Sequence, residues 1–174
     1  VGLEPDNVLL LRTVGAVVLR RRGYGIAIIC YNKLCELLPD VKAYAINQCL
    51  CLAATGDTKT AVNKAYELNL NNESDNQVKR LLAWVLICNG NAEKALNIYD
   101  ELMATDKQPD DALNIAYAQW INGNPGEAKN SFTEWLINHP GADLEHEFKN
   151  DDYVFNLNGI TDVDRALMLS AINM

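Results

Sequence analysis

The sequence predicts an all-α fold, an α-α superhelix of antiparallel helical hairpins closed by a C-terminal capping helix, on three observations. Glycine-punctuated turns recur at near-constant spacing, at Gly23, Gly56-Asp57, Gly90-Asn91 and Gly123-Asn124, with 34 residues from the second to the third and 33 from the third to the fourth. A fixed period of this size is the mark of a stacked repeat array. An alanine follows each turn (Ala27, Ala61, Ala95, Ala128), and in three units an aromatic stands four residues later (Tyr31, Tyr99, Phe132), with Ala65 in the second. Between the turns apolar residues recur at helical spacing, and β-hairpin signals are missing.

The elements follow in order. Apolar periodicity predicts helices over Asp6–Leu19, Ile26–Leu38, Val41–Ala54, Thr58–Leu70, Asp75–Cys88, Ala92–Ala104, Asp110–Ile121 and Pro125–Ile137. Gly56, Gly90 and Gly123 can take the left-handed conformation that closes a helix. Asp57, Asn91 and Asn124 are then expected to accept backbone N–H bonds at the next helix start, and Pro125 suits a first helical position, where its missing donor costs nothing. Pro39-Asp40 and Pro109-Asp110 are expected to stop one helix and cap the next. Short links make neighbours antiparallel, so each unit reads as a hairpin, its post-turn alanine allowing close approach. Residues 141–174 lack the repeat. They hold an acidic stretch, Asp143–Glu147, then Asn150–Gly159, which reads as loop. A last helix is expected from Thr161, capped by Thr161 with Asp164 in the capping-box position, and with Val163, Ala166, Leu167, Ser170 and Ile172 as its buried stripe.

The 174 residues suffice for a sizeable core, and a composition 49% hydrophobic and 22% charged is that of an ordinary globular protein. Net charge is −8, unevenly spread. Residues 1–60 carry seven Lys/Arg against five Asp/Glu, and the remainder eight against eighteen. That balance does not favour a nucleic-acid partner, and the one basic run, Arg20-Arg21-Arg22, reads as a helix end. Five cysteines (Cys30, Cys35, Cys49, Cys51, Cys88) lack zinc spacing and fit unpaired structural thiols. They suggest a reducing, cytoplasmic setting, although the chain begins at Val1 and a leader could lie outside it. No run of 18 apolar residues suggests a membrane span.

These residues resemble the tetratricopeptide repeat family, in about four repeats over residues 6–140 (units about 6–40, 41–74, 75–108 and 109–140), followed by a capping segment over 141–174. The first unit matches with Gly15, Ala27, Tyr31 and Pro39; the second with Cys49, Gly56-Asp57 and Ala61; the third with Ala83, Gly90-Asn91, Ala95 and Tyr99; the fourth with Ala116, Gly123-Asn124, Ala128, Phe132 and Pro140. The family's bulky residues near the start of each unit are replaced by Leu11, Ala45, Lys79 and Ala112, and a second aromatic row by Val18, Leu52, Leu86 and Gln119. Lys79 and Gln119 suggest looser packing or a local shift of register. Pro5 lies 34 residues before Pro39, so Leu3-Glu4-Pro5 reads as the tail of a preceding unit. The first helix would then show an apolar face (Leu10, Val14, Val17) able to pair in a homodimer.

The resemblance implies a concave groove lined by the first helix of each hairpin. Carried over position by position, it selects Arg12, Arg20, Ile46, Leu50, Arg80, Trp84, Ile87, Leu113, Tyr117 and Trp120 as a partner-binding surface. Tryptophan and tyrosine are favoured interface anchors, and the arginines suit a carboxylate or acidic side chain. The alternative is that these side chains are core, covered by the C-terminal segment. The family's clamp for C-terminal carboxylates is not expected: Arg12 and Asn47 match it, but Ala16, Gln77 and Leu81 do not.

Enzymatic readings find no constellation. His139 and His146 are the only histidines, His146-Glu147 lacks a second histidine at zinc-protease spacing, and Ser131 and Ser170 lack a glycine elbow. Asn156–Gly159 echoes a calcium loop, but Val154 stands where its leading Asp belongs. The expectation is a non-enzymatic scaffold that binds a peptide or partner segment, with no cofactor and no metal. The alternatives are a self-capping structural region of a longer protein, or an accessory domain of an enzyme.

Overall fold

Side chains and turns account for each helix in the computed structural model, which describes residues 6–173. Among the described residues there are eleven α-helices and no strand. Eight of them are α1 (Val8–Arg20), α2 (Tyr24–Leu37), α3 (Lys42–Ala54), α4 (Thr58–Leu70), α5 (Asn76–Cys88), α6 (Ala92–Thr105), α7 (Asp111–Ile121) and α8 (Pro125–Asn138). These match the periodic segments to within two residues at either end. The expected tail at Leu3-Glu4-Pro5 lies outside the described residues.

The chain divides into two compact units, Val1–Leu81 and Leu82–Met174, with the division inside α5. In the first unit α1 packs on α2, α2 on α3 and α3 on α4. Ala27, Tyr31, Leu34 and Cys51 form its core, and Val8, Leu11, Val18, Leu19 and Tyr44 pack around them. In the second unit α6 packs on α7 and α7 on α8. Ala27, Ala61, Ala95 and Ala128 are all fully buried, as small residues at helix crossings must be.

The turns repeat one geometry. Gly56, Gly90 and Gly123 have φ of 93°, 75° and 84°. In the first turn that place falls to Arg22, with φ 57°, which stands 34 residues before Gly56. In three turns the next residue donates its N–H to a carbonyl five residues back: Gly23 to Val18 at 2.9 Å, Asn91 to Leu86 at 2.9 Å and Asn124 to Gln119 at 2.9 Å. This is the Schellman closure that satisfies the last carbonyls of a helix. Gly23 is needed for space, since a Cβ there would lie 2.5 Å from Val18 Cγ1.

The caps depart from expectation in part. Asp57 accepts from Thr60 N at 3.3 Å, but Asn91 and Asn124 make no side-chain cap. Their backbone N–H groups already serve the preceding helix. Val41, not Asp40, is the N-cap of α3, and Asp110 caps α7 without a side-chain bond. Instead the buried Asp111 accepts from Gln108 N at 2.9 Å. Pro125 opens α8 as expected.

The C-terminal segment is more ordered than its composition suggests. Asp143 accepts from Glu145 N and His146 N and starts α9 (Leu144–Asn150). The stretch expected to be loop contains α10 (Asp152–Leu157), because Val154 and Phe155 are buried and hold it in helical register. Thr161 and Asp164 form the expected capping box of α11 (Asp162–Ile172). The expected buried stripe of α11 is corrected: Val163 and Leu167 are 66% and 64% exposed, and Ala166 and Ser170 are also exposed. Met168 is buried in their place. Arg165 sets this rotation by pairing with Asp152 of α10 and with Asp162, its guanidinium 5.3 Å from the centre of the Phe155 ring.

Candidate interaction surface

The helices α1, α3, α5 and α7 carry the ten residues that the resemblance selects, and the two units treat them differently.

In the first unit the row on α1 is open. Arg12 and Arg20 are exposed, Leu9 at the start of the same row is 64% exposed, and Ala16 is half-buried. Arg20 Nε donates to the carbonyl of Ala16 at 3.4 Å, which lays its stem along the helix. On α3 Leu50 and Ala54 are half-buried and Ala43 is exposed, whereas Ile46 is turned into the core. Arg80, in the part of α5 assigned to this unit, is half-buried. Asn32 accepts from Gln48 Nε2 at 2.8 Å, tying α2 to α3 behind these rows. Asp75 accepts from the N–H groups of Gln77 and Val78, caps α5 and pairs with Lys42. That pairing, aided by the two backbone bonds, holds its carboxyl below the ordinary aspartate value.

In the second unit the corresponding row is covered by its own chain. Tyr117 is fully buried. Its ring centre lies 5.7 Å from that of Phe132 on α8, 6.1 Å from Phe148 on α9 and 5.2 Å from Phe155 on α10. Trp120 lies 5.8 Å from Phe148 and 5.6 Å from Phe155, and Trp84 meets Tyr117 at 6.1 Å and the edge of Tyr153 at 6.5 Å. The Tyr117–Phe132, Tyr117–Phe155 and Trp84–Tyr153 pairs meet edge to face, an arrangement that adds about 0.5–1.5 kcal/mol each beyond burial, and the others are tilted. Ile87 and Leu113 are buried, while Trp84 and Trp120 remain half-buried. The polar edges are joined as well: Tyr117 Oη donates to Asp151 Oδ2 at 3.3 Å, and Asn158 Nδ2 donates to the carbonyl of Ile87 at 3.1 Å.

Phe148, Tyr153, Phe155 and Asn158 are therefore structural partners of the selected row that sequence reasoning missed. The available signals were the four-residue spacing of Leu144 and Phe148, which puts both on one face of α9, and the apolar run Tyr153-Val154-Phe155 inside a polar stretch. Gln119, one of the departures from the family pattern, accepts from Ser131 Oγ at 2.8 Å and ties α7 to α8. The five thiols are free, four buried and Cys35 half-buried. Burial pushes Cys49 up to about 11 and Cys51 up to about 12, so they stay protonated at neutral pH. Among the described residues no group of three or more His, Cys, Asp or Glu could hold a metal ion, and no helix is long and apolar enough to cross a membrane.

No family model matches the chain, and no curated protein matches it in sequence. Solved structures do match its fold. One is a tetratricopeptide repeat protein from Parabacteroides merdae ATCC 43184, at 20% identity and a TM-score of 0.63, covering 96% of this chain and 63% of that one. The chain thus spans under two thirds of that protein's length. A second is MamA residues 41 to end from Desulfovibrio magneticus RS-1, at 14% identity and a TM-score of 0.59, covering 95% of this chain and 92% of that one. A third is MamA MSR-1 C2, at 13% identity and a TM-score of 0.60, with 95% and 94% covered. The fold is accordingly that of a tetratricopeptide-type helical repeat.

Proposed function

We propose that this chain is a non-enzymatic scaffold that binds an extended protein segment along the open rows of its first unit, on α1 and α3. The observation that carries this reading is the unequal covering of the equivalent rows. On α7 Leu113 and Tyr117 are buried, Tyr117 against the rings of α9 and α10, whereas at the equivalent positions of α1 Arg12 is exposed and Ala16 half-buried, with exposed Leu9 and Arg20 on either side. Apolar side chains beside guanidinium groups suit a segment that alternates apolar and acidic residues, since Arg holds a carboxylate in a bidentate fork. The tetratricopeptide-type fold supports the same reading, because stacked hairpins offer extended surfaces rather than enclosed chambers. Trp84 and Trp120 are assigned to the interior of the second unit rather than to the partner.

The test is selection of random peptides displayed on phage against the immobilised chain, followed by binding measurements with Arg12→Glu and Leu50→Glu variants. Recovered sequences should be rich in Asp, Glu and large apolar residues, and each variant should weaken them at least about tenfold. Peptides that bind both variants as well as the parent chain would sink the proposal.

A further inference from the structure

The first hairpin presents a second apolar surface, on the side away from α3. On α1 it is formed by Leu10 and Val14, both half-buried, and Val17, 38% exposed. On α2 it is formed by Ile26 and Ile29, 59% and 65% exposed. Ile26, Ile29 and Lys33 share one face of α2 by their spacing, and Lys33 Nζ lies 3.0 Å from Asp6 Oδ1, just ahead of α1. The α2 row therefore runs beside the α1 row.

Comparison with the other units at the same register separates two occupants. The positions of Leu10, Val14 and Val17 recur in α3 as Tyr44, Gln48 and Cys51, where α2 packs against them and Gln48 and Cys51 are buried. A hairpin preceding α1 would cover its row in the same way. The positions of Ile26 and Ile29 recur as Thr60 and Asn63, Lys94 and Asn97, and Glu127 and Asn130. Five of these six polar residues are exposed and Thr60 is half-buried, although α4 and α8 stand in complete hairpins. Repeat stacking thus leaves this row in water, and only the first unit makes it apolar. Its occupant must cover the α2 row as well as the α1 row.

We propose that the chain forms a two-fold homodimer in which the α1–α2 faces of two copies pack antiparallel. Charge complementarity favours a second copy in this orientation. The hinge end of the hairpin carries Arg21, and the opposite end carries Asp6, Glu36 and Asp40, all exposed, with Lys33 paired to Asp6 and Glu36 and the end left net acidic. An antiparallel two-fold sets each basic end against the other copy's acidic end, while a parallel one sets like against like. The two apolar rows supply the buried centre and these charges the rim.

Sedimentation equilibrium of the 174-residue chain should show a reversible dimer at concentrations up to about 0.1 mM. Ile26→Glu with Ile29→Glu should weaken it about thirtyfold or more, with an unchanged circular dichroism spectrum, since both positions are exposed in the single chain. Ile29→Ser alone should weaken it less. In a mixture, Glu36→Arg chains should pair with Arg21→Glu chains in preference to themselves. A chain that stays monomeric overturns the proposal and leaves the face to another partner, and so does a dimer indifferent to the Ile26 and Ile29 substitutions. Random pairing in the mixture overturns the antiparallel arrangement. None of these outcomes bears on peptide binding at Arg12 and Leu50, which occupies a different face.

Discussion

Asn158 donates its side-chain amide to the main-chain carbonyl of Ile87 at 3.1 Å, across 71 positions of sequence, and to the carbonyl of Val154 at 2.8 Å. One amide thereby satisfies the final turn of α5 and the end of α10, joining the C-terminal segment to the row it covers. The Ile87 carbonyl also accepts from Gly90 N at 3.1 Å in the turn that closes α5, so Asn158 fills its second acceptor site and its own amide is satisfied at both ends. Asn158→Ala should cost about 1–2 kcal/mol in urea unfolding, and Asn158→Asp about as much, because a carboxylate cannot donate. Hydrogen exchange should rise in α10 in both variants. Unchanged protection there would refute the linkage.

Trp84 and Trp120 offer a sharper contrast. As anchors for an outside partner, they could be removed with little loss of stability. Packed instead against Tyr117, Tyr153, Phe148 and Phe155, they should be expensive to lose. Trp84→Ala with Trp120→Ala should destabilise by at least about 3–5 kcal/mol, the usual cost of truncating one buried large aromatic. A thermal midpoint that barely moves would return both residues to the binding surface.

The first turn makes two opposite predictions at adjacent positions. Arg22 occupies the left-handed region that glycine fills in the other turns, so Arg22→Gly should stabilise by roughly 0.5–1 kcal/mol, the relief of strain exceeding the added freedom of the unfolded chain. Gly23→Ala should destabilise by about 1–3 kcal/mol, because its methyl group would press on Val18. Chemical denaturation of the two single variants checks both signs, and a loss of stability in Arg22→Gly would refute the first.

Asp75 links the first unit to pH. Its folded carboxyl titrates below the ordinary value of 3.8, chiefly through the Lys42 bond and then through the N–H groups of Val78 and Gln77. A depressed acid contributes stability that is present above its unfolded value and is lost as pH falls through its folded value. The stability difference between the parent and Asp75→Asn should be about 0.5–1 kcal/mol near neutrality, a modest figure because the pair is partly exposed. It should shrink from about pH 4 downward and vanish in stronger acid. Lys42→Met should flatten the same dependence. A difference that persists in acid would show that the two residues are not coupled.

The hairpins were legible because their evidence is local. Gly56, Gly90 and Gly123 state their backbone conformation, and the buried alanines after the turns follow from the same phase. The capping box at Thr161 and Asp164 was legible for the same reason. The C-terminal segment was not. Asn150, Asp151, Asp152, Asn156 and Asn158 read as loop formers, yet here Asp151 pairs with Tyr117, Asp152 with Arg165 and Asn158 with the carbonyl of Ile87, while Asp152–Asn156 and Asn158–Val154 bonds brace α10 locally. The orientation of α11 was hidden for a related reason. Its apolar pattern favoured Val163 and Leu167, but one arginine reaching Asp152 outweighed it. Whether the row of the second unit lies open depends on that segment, so the candidate surface could be located in sequence only to a set of ten positions, and not divided into covered and open members.

The rings of Phe148 and Phe155 against Tyr117 make α9 and α10 a tethered competitor for the inner surface of α7. An occupant joined to the same chain by a short connection acts at an effective concentration on the order of millimolar. A free peptide with equal intrinsic affinity would have to exceed that concentration to displace it. The second unit is thus insulated from weak ligands, and recognition there requires either a tight binder or an event that first pulls the tail away.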